Sequence, residues 1–78
     1  MKTDEQIRQD IRDTLIECRK EKGVTQLELA VAIDKKATTI ASWEQGLSLP
    51  NPQTLYRLAQ YYNKSLAYMY GDEKENEQ

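Results

Sequence analysis

Residues 37–46 read ATTIASWEQG and hold the side chains in this chain best placed to do chemistry. On a helix with Ile40 and Trp43 turned inward, Thr38, Ser42 and the small residues beside them, Ala37 and Ala41, turn outward. Hydroxyls both donate and accept hydrogen bonds. Methyl groups of Ala37, Thr38 and Ala41 can pack on small apolar groups. These two capacities suit the edges of nucleic acid bases, which present donors, acceptors and the thymine C5-methyl. No Arg that would suit guanine, and no Asn or Gln that would suit adenine, stands within this face. Catalytic chemistry has less to work with. The chain has no histidine, so the usual general base and the usual transition-metal ligand are missing. Cys18 is the single cysteine; it can form no internal disulfide, makes no metal site alone, and reads as a buried small hydrophobe. The expectation is no enzyme, no cofactor and no metal.

Positioning that face takes two short helices and a tight turn, from Thr25 to Gly46. Thr25 and Glu28 have capping-box spacing and start a helix whose Leu29, Ala30 and Ile33 face inward. Asp34 follows, a residue that tolerates the left-handed conformation. The next helix runs from about Ala37 to Gln45 and stops at Gly46. This is the layout of a helix-turn-helix, which sets one helix into the DNA major groove. Before it, Thr3 and Gln6 cap a first helix carrying Ile7, Ile11, Leu15 and Cys18 on one face, ending near Lys22 and Gly23. After it, Asn51 and Pro52 start a fourth helix that buries Leu55, Leu58, Ala59 and Tyr62, closed by Asn63. Ser65 caps a fifth, Leu66 to Tyr70, ended by Gly71. The fold class expected is all-α, one domain over residues 1–71, with residues 72–78 a disordered acidic tail.

Composition fits one small soluble domain of 78 residues, 38% hydrophobic and 31% charged. No apolar run reaches the roughly 18 residues that span a bilayer. The opening MKTDEQIRQD lacks the apolar segment of a secretory signal. A cytoplasmic, nucleoid-associated protein without membrane contact is expected. Net charge is −2, but residues 1–71 hold 10 bases against 9 acids, a net of +1. That is a weak field for a nucleic acid binder, so modest non-specific affinity and a dependence on dimerisation are expected.

RKEKGVTQLELA (Arg19–Ala30), ATTIASWEQG (Ala37–Gly46), Pro50 and TLYRLAQYYNKS (Thr54–Ser65) together resemble the Xre family of helix-turn-helix proteins, of Cro/CI phage-repressor type. The resemblance covers roughly Ile11 to Gly71 without a gap. It implies a five-helix, lambda-repressor-like DNA-binding domain with the third helix in the major groove. By position, Ala37, Thr38, Ala41 and Ser42 would read bases. Gln26 and Gln45 would meet phosphates, and Lys35 and Lys36 flank the reading helix with positive charge. Arg19 and Glu44 would form a partly buried ion pair holding the first helix to the end of the third. Three places depart from the family pattern. The turn carries Asp34, Lys35 and Lys36 where Gly, an apolar residue and Ser or Thr are usual, leaving the third helix without an obvious side-chain cap. Lys64 stands where valine is common. The loop after the third helix holds Leu47, Ser48 and Leu49 instead of basic residues.

All five tyrosines lie between residues 56 and 70. Beyond those the core needs, an amphipathic patch of Tyr61, Leu66, Tyr68, Met69 and Tyr70 is expected to form a two-fold dimer interface, since tyrosine is favoured at interfaces. Such a dimer would space two recognition helices by about 34 Å, one turn of DNA. The function this implies is a sequence-specific regulator, a repressor binding a palindromic operator as a homodimer, of the prophage type. The alternatives are an antitoxin that also holds a toxin, or a protein-interaction module that has lost DNA binding. Double-stranded DNA is the expected partner; a toxin or polymerase is a further one.

Overall fold

The computed structural model describes residues 1–72. Five α-helices and no strands cover these residues: α1 (Asp4–Lys22), α2 (Gln26–Ala32), α3 (Ala37–Glu44), α4 (Pro52–Tyr61) and α5 (Leu66–Met69). Local chemistry sets the starts. Thr3 with Gln6 and Thr25 with Glu28 form reciprocal capping boxes, while Asn51 and Ser65 accept from Thr54 N–H and Tyr68 N–H. The N-cap position of α3 is Lys36, which makes no side-chain cap bond.

Helix ends follow one hydrogen-bond pattern. After α2, Asp34 takes φ +58°; its N–H reaches Val31 O and the Lys35 N–H reaches Ala30 O. After α4, Asn63 takes φ +56°, with Asn63 N–H on Gln60 O and Lys64 N–H on Ala59 O. Both are Schellman closures built on Asx residues rather than glycine. The first turns the chain from α2 into α3 within four residues, which fixes the angle at which α3 leaves the core.

α1 packs on α3 and α5, α2 on α3, and α4 on α5. The buried core takes Ile11, Leu15 and Cys18 from α1, Leu29 and Ala30 from α2, Ile40 and Trp43 from α3, and Leu55, Leu58 and Ala59 from α4. Ile7, expected on the α1 face, is half-buried at the edge of this cluster. Thr14 instead turns fully inward, one helical turn before Cys18. Tyr62 is buried, and its hydroxyl has no hydrogen-bond partner among the described residues.

One expected interface residue is corrected by the packing. Met69 is 0% exposed. It follows from α5 being a single turn laid on α4: one of its four residues must point straight into the core, and the long, flexible Met side chain fills that space. Met69 therefore offers no surface to a second copy. Leu66 is exposed, and Tyr61, Tyr68 and Tyr70 are half-buried against the core. Lys22 Nζ covers the Tyr61 ring at 4.4 Å and Lys64 Nζ covers the Tyr68 ring at 4.5 Å.

Asp72, expected to open a free tail, is held instead. Its N–H donates to Ala67 O, and its carboxylate meets Lys2 at 3.2 Å. Residues 73–78, which carry the rest of the expected disordered tail, lie outside the described residues.

Candidate nucleic acid interface

α3 is held from behind at two levels. Ile40 and Trp43 sink into the core. At its C-terminal end, Glu44 is gripped by side chains from two other helices. Arg19 donates Nε to Oε2 at 2.6 Å and Nη2 to Oε1 at 2.9 Å, a fork-to-fork pair. Its remaining Nη1 donates to Val24 O at 2.9 Å, tying the α1–α2 connection to the same guanidinium. Gln26 Nε2 adds a third bond to Glu44, on Oε1 at 3.1 Å. The paired side chains of Arg19 and Glu44 are 15% and 10% exposed. Burial pushes the Glu44 carboxyl up, but the hydrogen bonds of Arg19 and Gln26, with the positive charge of Arg19 and Lys20, win and hold it below its ordinary 4.5. The hydrogen bond from Arg19 to Glu44 outweighs burial and raises the guanidinium further.

Sequence reasoning missed a second grip. Arg12 Nε donates to the Glu44 backbone carbonyl at 2.8 Å, satisfying one of the carbonyls a helix end leaves open. Gly46, at φ +79°, follows; a Cβ there would lie 3.5 Å from Arg12 Cδ. Arg12 and Arg19 stand two turns apart on one face of α1. That seven-residue spacing was the signal available in the sequence.

The outward side of α3 carries the predicted reading residues unequally. Thr38 is exposed, Ala41 and Ser42 are half-exposed, and Ala37 is half-buried with part of its surface against the core. Ser42 Oγ shares a 2.8 Å hydrogen bond with Ser48 Oγ. The loop that lacks basic residues therefore braces the reading face through a hydroxyl. Lys35 and Lys36 are exposed beside the α3 N-terminus, and Gln45 is exposed just past its end. Gln26 keeps its amide on Glu44, with its oxygen left for other partners. An α-helix with its side chains is about 10–12 Å across, a fit for a major groove about 12 Å wide. Among the described residues, no helix is long and apolar enough to cross a membrane, and no group of three His, Cys, Asp or Glu could hold a metal ion.

Comparison with known proteins agrees with this geometry. A helix-turn-helix family model matches residues 15–69, from the middle of α1 through α5. A protein of Yarrowia lipolytica named multi-protein-binding factor 1 is 43% identical over 44 residues, which are 56% of this chain and 29% of that protein. The chain thus spans less than a third of that relative's length. No solved structure matches the chain significantly. With most of the chain under the family model, and with α2, the Asp34 turn and α3 forming two helices joined by a tight turn inside the matched residues, the chain belongs to the helix-turn-helix family of Cro/CI type.

Proposed function

We propose that this protein is a sequence-specific DNA-binding regulator that lays α3 in the major groove. The observation that carries the reading is the fixation of α3: a helix locked through Ile40, Trp43 and Glu44 presents Thr38 exposed and Ala41 and Ser42 half-exposed on its outward side. Gln26, Lys35, Lys36 and Gln45 flank that face as phosphate contacts. In this reading the protein acts as a repressor on a palindromic operator. A homodimer formed through Leu66, Tyr61, Tyr68 and Tyr70, without Met69, spaces the two α3 helices to fit it. Selection from random duplex DNA at low salt, followed by sequencing, tests the proposal. An enriched inverted repeat with half-sites about one turn apart supports it. A pool without a motif defeats it.

A protein-binding role is the second reading. Leu27 and Val31, 63% and 74% exposed and one turn apart on α2, favour it. The relative's name, which speaks of binding several proteins, points the same way.

A further inference from the structure

Beside the α3 C-terminus lies a groove of about 220 Å³ lined by Glu5, Arg8, Gln9, Arg12, Gln45 and Gly46. We propose that this groove is a DNA phosphate clamp, in which Arg8 and Arg12 of α1 take the backbone strand that Gln45 approaches. The inference rests on the DNA-binding reading and adds a contact from a helix outside the helix-turn-helix.

Glu5, Arg8, Gln9 and Arg12 fall at i, i+3, i+4 and i+7, so one stripe of α1 faces the groove. Arg12 is already oriented: its Nε is committed to Glu44 O, and Gly46 leaves room for its stem. A guanidinium fixed at Nε still presents its two terminal amino groups, the edge that suits a phosphate. Neither Arg8 nor Arg12 has a carboxylate partner within salt-bridge distance among the described residues. Two arginines against Glu5 leave the groove net positive. The position also fits. A helix that seats its first turn on base edges carries its far end outward toward the phosphates walling the groove, and the clamp sits at that far end. In a fold whose described residues hold 10 bases against 10 acids, a net of zero, two arginines on one strand are a large share of the available attraction.

The test uses the full chain and a fluorescein-labelled 20-base-pair duplex of random sequence, titrated by anisotropy between 50 and 200 mM salt. Arg8→Gln is expected to weaken binding about tenfold at 50 mM salt and to lower the slope of log Kd against log salt by about 0.9, the value for one phosphate contact. Arg12→Gln should do the same with some loss of melting temperature. Glu5→Gln should tighten binding, an effect of opposite sign that a purely structural role for the stripe does not produce. Wild-type binding together with an Arg8→Gln affinity and slope equal to wild type overturns the clamp and leaves the DNA-binding reading standing. A wild-type protein that binds no duplex at 50 mM salt overturns both.

Discussion

Gln26 donates its side-chain amide to Glu44 at 3.1 Å, so the first turn of α2 is bonded directly to the last residue of α3. The same carboxylate oxygen also accepts from Arg19 Nη2. One acidic side chain thus ties together α1, α2 and α3. The glutamine expected on a phosphate has a structural duty as well, and any phosphate it meets must be reached by the second N–H of its side-chain amide, its backbone N–H or a rotated amide.

Glu44→Ala is expected to lose DNA binding by unfolding rather than by losing a contact. It leaves the Arg19 guanidinium buried with two of its three hydrogen bonds gone, a cost of about 3–5 kcal/mol. At roughly 4–8 °C per kcal/mol for a domain of this size, the melting temperature should fall by more than about 10 °C. Thermal denaturation followed by circular dichroism measures this directly. A variant melting with wild type removes Glu44 from the role given to it.

The same residue makes stability depend on pH. Its folded pKa is held below the ordinary 4.5, so the unfolded chain binds the proton more readily. The stabilisation is therefore complete above about pH 4.5 and is lost as pH falls through the folded pKa. Urea midpoints measured from pH 7 down to pH 3 should drop in the acid range. Glu44→Gln should start lower and show a shallower acid limb, since Gln26 and Arg19 then face a group that does not titrate. Parallel acid limbs in the two proteins would falsify the linkage.

Tyr62→Phe is expected to keep or raise stability. Burial pushes the Tyr62 phenol above its ordinary 10.0, and its oxygen meets no partner among the described residues. A buried polar group without a partner costs about 1–3 kcal/mol, so phenylalanine of nearly the same shape removes a penalty and keeps the packing. Chemical denaturation should place Tyr62→Phe level with wild type or up to about 1 kcal/mol above it. A loss exceeding 1 kcal/mol would mean that the hydroxyl has a partner after all.

Thr38 and Ser42 should differ in how they tolerate alanine. Thr38 is exposed and makes no side-chain hydrogen bond among the described residues, so Thr38→Ala should leave the melting temperature unchanged and relax base preference at one operator position. A good base contact is worth about 1–3 kcal/mol, and a lone hydroxyl belongs at the low end. Ser42→Ala breaks the bond to Ser48 and should loosen the Leu47–Leu49 loop too. Ser48→Ala separates the two effects: it frees the loop while leaving the Ser42 hydroxyl for the base. Equal base-preference profiles for wild type and Thr38→Ala in repeated selections would remove Thr38 from the reading set.

Helix boundaries were legible in the sequence because caps are local. Thr3, Thr25, Asn51 and Ser65 each need to meet an N–H three residues away, and each does. Asp34 likewise declares its turn within a five-residue window. Side-chain roles set by distant parts of the chain were harder to read. Arg12 meets Glu44 across 32 residues, and only its seven-residue spacing from Arg19 on the same face of α1 marks it in the sequence. The Arg19–Glu44 pairing came from family resemblance, not from spacing. Met69 was misplaced because a four-residue helix is too short for a periodic pattern to name its inner face. Its direction is decided by where α4 lies.

Arg12, Arg19 and Gln26 all act on Glu44, on a different face of α3 from Thr38 and Ser42. The cost of altering Thr38 is therefore separate from the cost of folding, whereas Ser42 also holds Ser48. Ala41 and Thr38 carry little that the core requires, so longer side chains can be written there as on an open page: an arginine for guanine, a glutamine for adenine. In evolutionary terms, the sparse reading face is a reserve of specificity. A lineage holding this scaffold can change its target by single substitutions while the lock behind α3 stays untouched.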